Sequence, residues 1–163
     1  MSNLWCFGDS FVDNKDYRPF RNPPRKIVDN HWTQEVAKAL NLNLQNYGLC
    51  GTALSYTYCK VFENMQNFKD NDVIVVALTS TERRWFFYNS PQVVNDLETA
   101  EGTTKEQVKA YKQYILHLNE NPVEHRVYMH NFLKTLEYIA LTTKVKIIVM
   151  NCFGLERAFV DTI

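Results

Sequence analysis

Asp72-Val73-Ile74-Val75-Val76-Ala77-Leu78 is the stretch that decides the fold. From Val73 to Leu78 it is apolar without a break and largely β-branched, so the strand it predicts has no face fit for water. That is the character of a strand inside a parallel sheet with both faces covered. The run stops at Thr79-Ser80-Thr81. Working outward, three further strands are predicted. Leu4-Trp5-Cys6-Phe7 is a short apolar run halted by Gly8-Asp9-Ser10, and Leu42-Asn43-Leu44-Gln45-Asn46-Tyr47 alternates and ends at Gly48. Lys144 to Met150 reads as a fourth strand, again of buried character.

Helical periodicity fills the intervals. Asn30 reads as the N-cap of a helix carrying Trp32, Val36, Ala37 and Leu40. Thr52 to about Phe68 places Leu54, Tyr58, Val61, Phe62 and Met65 on one face, and two later helices near Lys105–Leu118 and Val123–Leu141 are parted by Asn121-Pro122. An aromatic stretch from Trp85 to Tyr88 is followed by a loop. Parallel neighbours cannot be joined by tight turns, so strands separated by segments of this length imply crossovers. The expected fold is a three-layer α/β/α sandwich on a parallel, flavodoxin-like sheet, with residues 1–163 as one domain.

Composition narrows the function. A chain of 163 residues, 45% hydrophobic and 13% aromatic, has material for one sizeable core. Eighteen basic and eighteen acidic residues cancel, which argues against electrostatic binding to nucleic acid or to a membrane surface. Arg18, Arg21, Arg25 and Lys26 lie among Pro19, Pro23 and Pro24 and read as a solvated loop. Cys6, Cys50, Cys59 and Cys152 form no CxxC pair and no zinc-ligand spacing, so they read as reduced thiols. No basic leader precedes an apolar core, and no apolar run approaches the ~18–20 residues of a membrane span. A cytoplasmic or intracellular location is expected.

Doubly wound sheets bind ligands outside the carboxyl ends of their strands. That directs attention to Gly8-Asp9-Ser10, to Gly48 through Thr52, to Thr79 through Arg84, and to Asn151 through Gly154. Gly8-Asp9-Ser10 directly after an N-terminal strand, followed by Asn46-Tyr47-Gly48-Leu49-Cys50-Gly51-Thr52 after the second, resembles the first two blocks of the SGNH/GDSL hydrolase family. The resemblance implies a serine that attacks an acyl carbon, with the oxyanion held by backbone and side-chain donors. Carried over by position, Ser10 is the nucleophile, Ser10 N–H and Gly51 N–H are oxyanion donors, and Asp9 orients the turn. The third block departs from Gly-x-Asn-Asp: Thr79-Ser80-Thr81-Glu82 places Thr81 where the family has asparagine, leaving a hydroxyl as the third donor.

The family takes its general base from a C-terminal Asp-x-x-His, and here Asp161-Thr162-Ile163 stops one residue before that histidine. The expectations are a chance match at Asp161 or a domain lacking its C-terminal block. Within the 163 residues a base would come from His31, His117, His125 or His130, or from another subunit, which leaves room for a homo-oligomer. Helices that follow strands begin at the carboxyl edge of the sheet, which favours His31 and His125 as base or orienting group.

Arg83 and Arg84 beside Trp85-Phe86-Phe87-Tyr88 suit an anionic or sugar-like substrate, although the aromatics suit packing beneath the loop equally well. Asp9, Asp13, Asp16 and Glu82 invite a magnesium reading, but only Asp9 and Glu82 clearly follow strand ends, so neither metal nor other cofactor is expected. Cys50 has no neighbouring positive charge to activate it and reads as a packed side chain. The expected activity is hydrolysis of a carboxylic ester, with a carbohydrate O-acetyl group as one substrate. The competing expectation is a binding or assembly protein that keeps the fold and has lost catalysis.

Overall fold

The computed structural model describes residues 1–15, 26–79, 85–88, 90–93, 104–120 and 122–152. In chain order these form β1 (Asn3–Gly8), α1 (Trp32–Ala39), β2 (Asn43–Gly48), α2 (Leu54–Asn64), β3 (Val73–Leu78), β4 (Trp85–Tyr88), β5 (Ser90–Val93), α3 (Lys105–Glu120), α4 (Pro122–Thr143) and β6 (Lys146–Asn151). Four strands make one parallel sheet in the order β2-β1-β3-β6. This is a mixed α/β fold with a flavodoxin-like strand order, as the apolar β3 run predicts.

Because side chains alternate across a strand, β1 and β3 feed two cores. Trp5, Phe7, Ile74, Val76 and Leu78 pack with Leu54 and Val61 of α2 and with Met129, Phe132, Leu136 and Ile139 of α4. Leu4, Cys6, Val75 and Ala77 pack with Val12 and Ala37, against which Trp32 and Val36 of α1 also lie. This two-sided burial is why β3 has no polar residue between Val73 and Leu78. Trp5 and Phe7 stack 6.5 Å apart, and Tyr47 of β2 stacks on both, so a row of rings runs across the sheet.

The amino-terminal edge of the sheet is fastened by a buried acid. Asp72 immediately precedes β3 and is 0% exposed. Its carboxylate accepts from Asn3 N (2.7 Å), from Trp5 Nε1 (2.7 Å) and from Lys69 N (3.1 Å), which ties β1 to the turn before β3.

Three local expectations are corrected. The sequence predicts a buried fourth strand, whereas among the described residues β6 pairs only with β3 and leaves Ile148 51%, Val149 38% and Met150 37% exposed. Apolar composition identifies a strand but not its place in the sheet. The segment after Trp85–Tyr88 is not wholly loop: β4 and β5 form an antiparallel pair, with Trp85 opposite Val93 and Tyr88 opposite Ser90. Aromatic residues favour pleated pairing, while Pro91 in the partner strand disguises it as a loop. Finally, Asn30 does not cap α1. It turns the chain at φ 61°, and His31 is the cap, in a capping box completed by Gln34.

Candidate functional site

At the carboxyl edge, β1 and β2 run in register to Gly8 opposite Gly48, so the segments after them leave the sheet side by side. The first segment is a tight turn built on Asp9, which is 1% exposed. Its carbonyl accepts from Val12 N (3.0 Å) and Asp13 N (2.9 Å), and its Oδ1 accepts from Phe11 N (3.1 Å). Oδ2 accepts from the Thr79 hydroxyl at 2.8 Å, which joins the ends of β1 and β3. These strands flank the topological switch point of the sheet, where crossovers leave toward opposite faces and a crevice opens. Ser10 and Phe11 are the exposed residues of this turn. Among the described residues neither the Ser10 hydroxyl nor the Ser10 N–H has a hydrogen-bond partner, although the N–H groups of Phe11, Val12 and Asp13 all do.

The Thr79 to Asp9 bond gives a direct prediction. Thr79→Val keeps the shape and removes a buried donor to a carboxylate, so it should lower stability by about 1.5–3 kcal/mol. A urea midpoint within error of the unsubstituted chain would contradict that role.

The second segment is laced to the first. Leu49 N donates to Gly8 O at 3.1 Å, and Cys50 N donates to Asp13 Oδ2 at 2.7 Å. Thr52 returns both its N–H (3.3 Å) and its hydroxyl (2.8 Å) to Leu49 O. Gly51 stands at φ 82°, a conformation that glycine adopts at no steric cost. Of the four N–H groups from Leu49 to Thr52, only that of Gly51 is without a partner among the described residues. Asn46 fixes the approach from below: its Oδ1 accepts from Gly48 N (2.8 Å), and its Nδ2 donates to Val12 O (2.8 Å) and to Thr33 Oγ1 (3.1 Å). Gly48 is required for space, since a Cβ there would fall 2.3 Å from both Asp13 N and Val12 C.

The start of α1 lies at the same edge, because Trp32 Nε1 donates to Phe11 O at 2.6 Å. His31 Nδ1 faces the Thr33 hydroxyl at 2.9 Å and accepts from Thr33 N at 3.4 Å as the helix cap. With Nδ1 accepting, the neutral ring carries its proton on Nε2, so taking a proton from Ser10 would require the opposite tautomer. Burial lowers the His31 pKa below its ordinary 6.5, and the Asp13 carboxylate opposes that shift. The same carboxylate, after burial, helps push the Tyr56 hydroxyl up to about 12. Burial and then the Asp9 carboxylate push the Cys152 thiol up, so Cys152 stays protonated near neutrality.

The structure therefore brings Asp9, Ser10, Gly51 and the start of α1 to one end of the sheet. His125 lies in the first turn of α4, at the end of that helix remote from the start of β6, while His117 and His130 are exposed on α3 and α4. Thr81, Glu82, Arg83, Arg84, Asp16 and Asp161 lie outside the described residues. All four cysteines are free thiols. No group of three metal-ligating side chains occurs among the described residues, and no described helix is long and apolar enough to cross a membrane. Sequence reasoning weighed Asp13 only as a magnesium ligand and Thr79 only as the end of a strand, and missed the bond of Asp13 to the distant Cys50 and of the Thr79 hydroxyl back to Asp9. The one local signal for Asp13 is its place inside the polar turn that follows β1. Comparison with protein-family models, with curated proteins and with solved structures finds no match to this chain.

Proposed function

We propose that the protein is a serine-dependent hydrolase of carboxylic esters of the SGNH/GDSL type, with Ser10 as its nucleophile. One observation carries the reading: the two backbone N–H groups that the family resemblance assigns to the oxyanion are the two that, among the described residues, have no partner in their respective turns. Donors held by surrounding hydrogen bonds and free of internal partners are what a developing oxyanion needs, because they incur no reorganisation when the charge appears.

The Ser10 hydroxyl attacks the acyl carbon, the carbonyl oxygen takes the negative charge between Ser10 N–H and Gly51 N–H, and the ester C–O bond breaks to release the alcohol. Water then cleaves the acyl-serine to the carboxylic acid and restores the hydroxyl. Asp9 orients the turn that presents Ser10. Thr81 is the proposed third donor, and Arg83 and Arg84 the proposed substrate contacts, with an O-acetylated carbohydrate as the substrate class. A histidine serves as base and returns the serine proton to the departing alcohol; His31 stands at this edge and would do so through Nε2 in the opposite tautomer, with its ring proton on Nδ1 and the cap bond from Thr33 N given up.

A fluorophosphonate probe tests the assignment. Peptide mass spectrometry of the labelled chain is expected to find one phosphonyl group, on Ser10, that is absent from Ser10→Ala. Failure to label under conditions that modify a reference esterase removes the hydrolase reading and leaves a binding protein on the same fold.

A further inference from the structure

We infer that Asp13 is a positioning residue for the oxyanion donor, its carboxylate holding the loop that carries Gly51 against the turn that carries Ser10. The inference rests on the hydrolase reading and goes beyond it, since the family resemblance assigns Asp13 no role.

Asp13 is an acid 7% exposed at the mouth of the sheet, a costly place for a charge unless donors surround it. Two backbone donors meet it: Lys15 N at 3.1 Å on Oδ1 and Cys50 N at 2.7 Å on Oδ2. The first bond is local and only shapes the turn. The second crosses from one site segment to the other and grips the residue immediately before Gly51. A charged acceptor makes this bond roughly twice as strong as a neutral one.

The neighbouring bonds locate where that grip acts. Leu49 N is fixed on Gly8 O and Thr52 N on Leu49 O, so the loop is anchored on either side of Cys50-Gly51. Between those anchors the Asp13 bond fixes Cys50, the residue immediately before Gly51. Gly51, at φ 82° and without a Cβ, has little stiffness of its own to keep its N–H aimed. Oxyanion donors act through placement within a few tenths of an ångström, so a tether next to the donor should govern the chemical step more than substrate binding.

The experiment follows phosphonylation of Ser10 at increasing fluorophosphonate concentration, for the full chain and two variants. Asp13→Ala is expected to lower the maximal labelling rate about 10- to 100-fold, part of the 10²–10³ that deleting such a donor costs, with the half-saturating concentration within about twofold. Val12→Ala weakens the core beneath the same turn but keeps the tether, so its maximal rate should stay within about twofold of the unsubstituted chain. A folded Asp13→Ala chain that labels at the unsubstituted rate overturns the positioning role and leaves the nucleophile assignment standing. An unsubstituted chain that does not label overturns both. Should Asp13→Ala fail to fold, proton–nitrogen NMR of the unsubstituted chain decides. The Cys50 amide is expected to exchange slowly with deuterium, held by Asp13 Oδ2, and an amide that exchanges as fast as one open to solvent overturns the tether.

Discussion

Gly48→Ala is expected to destabilise the protein by about 2–4 kcal/mol and to abolish labelling of Ser10, although it adds a single methyl group. Gly48 has no positive φ, so alanine meets no backbone penalty there. The cost is spatial. The added carbon would sit 2.3 Å from Asp13 N and from Val12 C and 2.7 Å from Val12 O. All three are main-chain atoms, which have no alternative rotamer to adopt. Relief requires the turn from Asp9 to Asp13 to lift off β2, and that movement stretches the Asn46 to Val12 and Cys50 to Asp13 hydrogen bonds together. A Cβ at Gly8 would also be crowded, 2.6 Å from Val12 Cγ2 and 2.9 Å from Ala77 Cβ, but its closest contacts are side-chain atoms. Urea unfolding and probe labelling measure the two effects separately. A Gly48→Ala chain that keeps both within error would mean that the turn does not rest on β2 as described.

Asp72→Ala should cost about 3–5 kcal/mol, a large share of the roughly 5–15 kcal/mol that holds a domain together. The substitution strips a charged acceptor from Asn3 N, Trp5 Nε1 and Lys69 N, and the indole N–H is left buried with nothing to bond. The acid also writes a pH signature. Burial by itself raises the Asp72 pKa, but the hydrogen bonds from Asn3 N, the Trp5 indole, Lys69 N and the Asn3 amide outweigh it and hold the value below the ordinary 3.8. A carboxylate depressed in the folded state contributes stability that is fully present above its unfolded pKa, about 4, and is lost as pH falls through the folded value. Stability measured from pH 6 down to 2 should therefore decline more steeply in the unsubstituted chain than in Asp72→Asn. Parallel curves would mean that Asp72 is not the acid-sensitive group.

The sheet was legible because burial on two faces leaves a plain mark: Val73 to Leu78 cannot be anything exposed, and Leu4 to Phe7 shares its character. Helical spacing located α1, α2 and α4 because each buries an apolar stripe. The hairpin β4–β5 left no such mark, since a four-residue strand containing Pro91 has little periodicity to read. The helix cap went to Asn30 on residue preference, whereas the fold uses the imidazole of His31, a choice that depends on Thr33 and Asn46 nearby. In the site, Ser10 and Gly51 were visible as short patterns after strands. Asp13 and Thr79 were not, because their bonds to Cys50 and Asp9 exist only once separate strand ends have been brought together.

The place of β1 bears on how the chain is made. β1, which is synthesised before the other strands of this sheet, is an inner strand with β2 on one side and β3 on the other. Its second partner does not exist until Leu78 has been synthesised, several seconds later at ~5–20 residues per second. Through that interval Leu4-Trp5-Cys6-Phe7 is an uncharged, sticky segment on an incomplete nascent chain, so the yield of native protein in cells should depend on trigger-factor-like holding chaperones and on translation speed between α1 and β3.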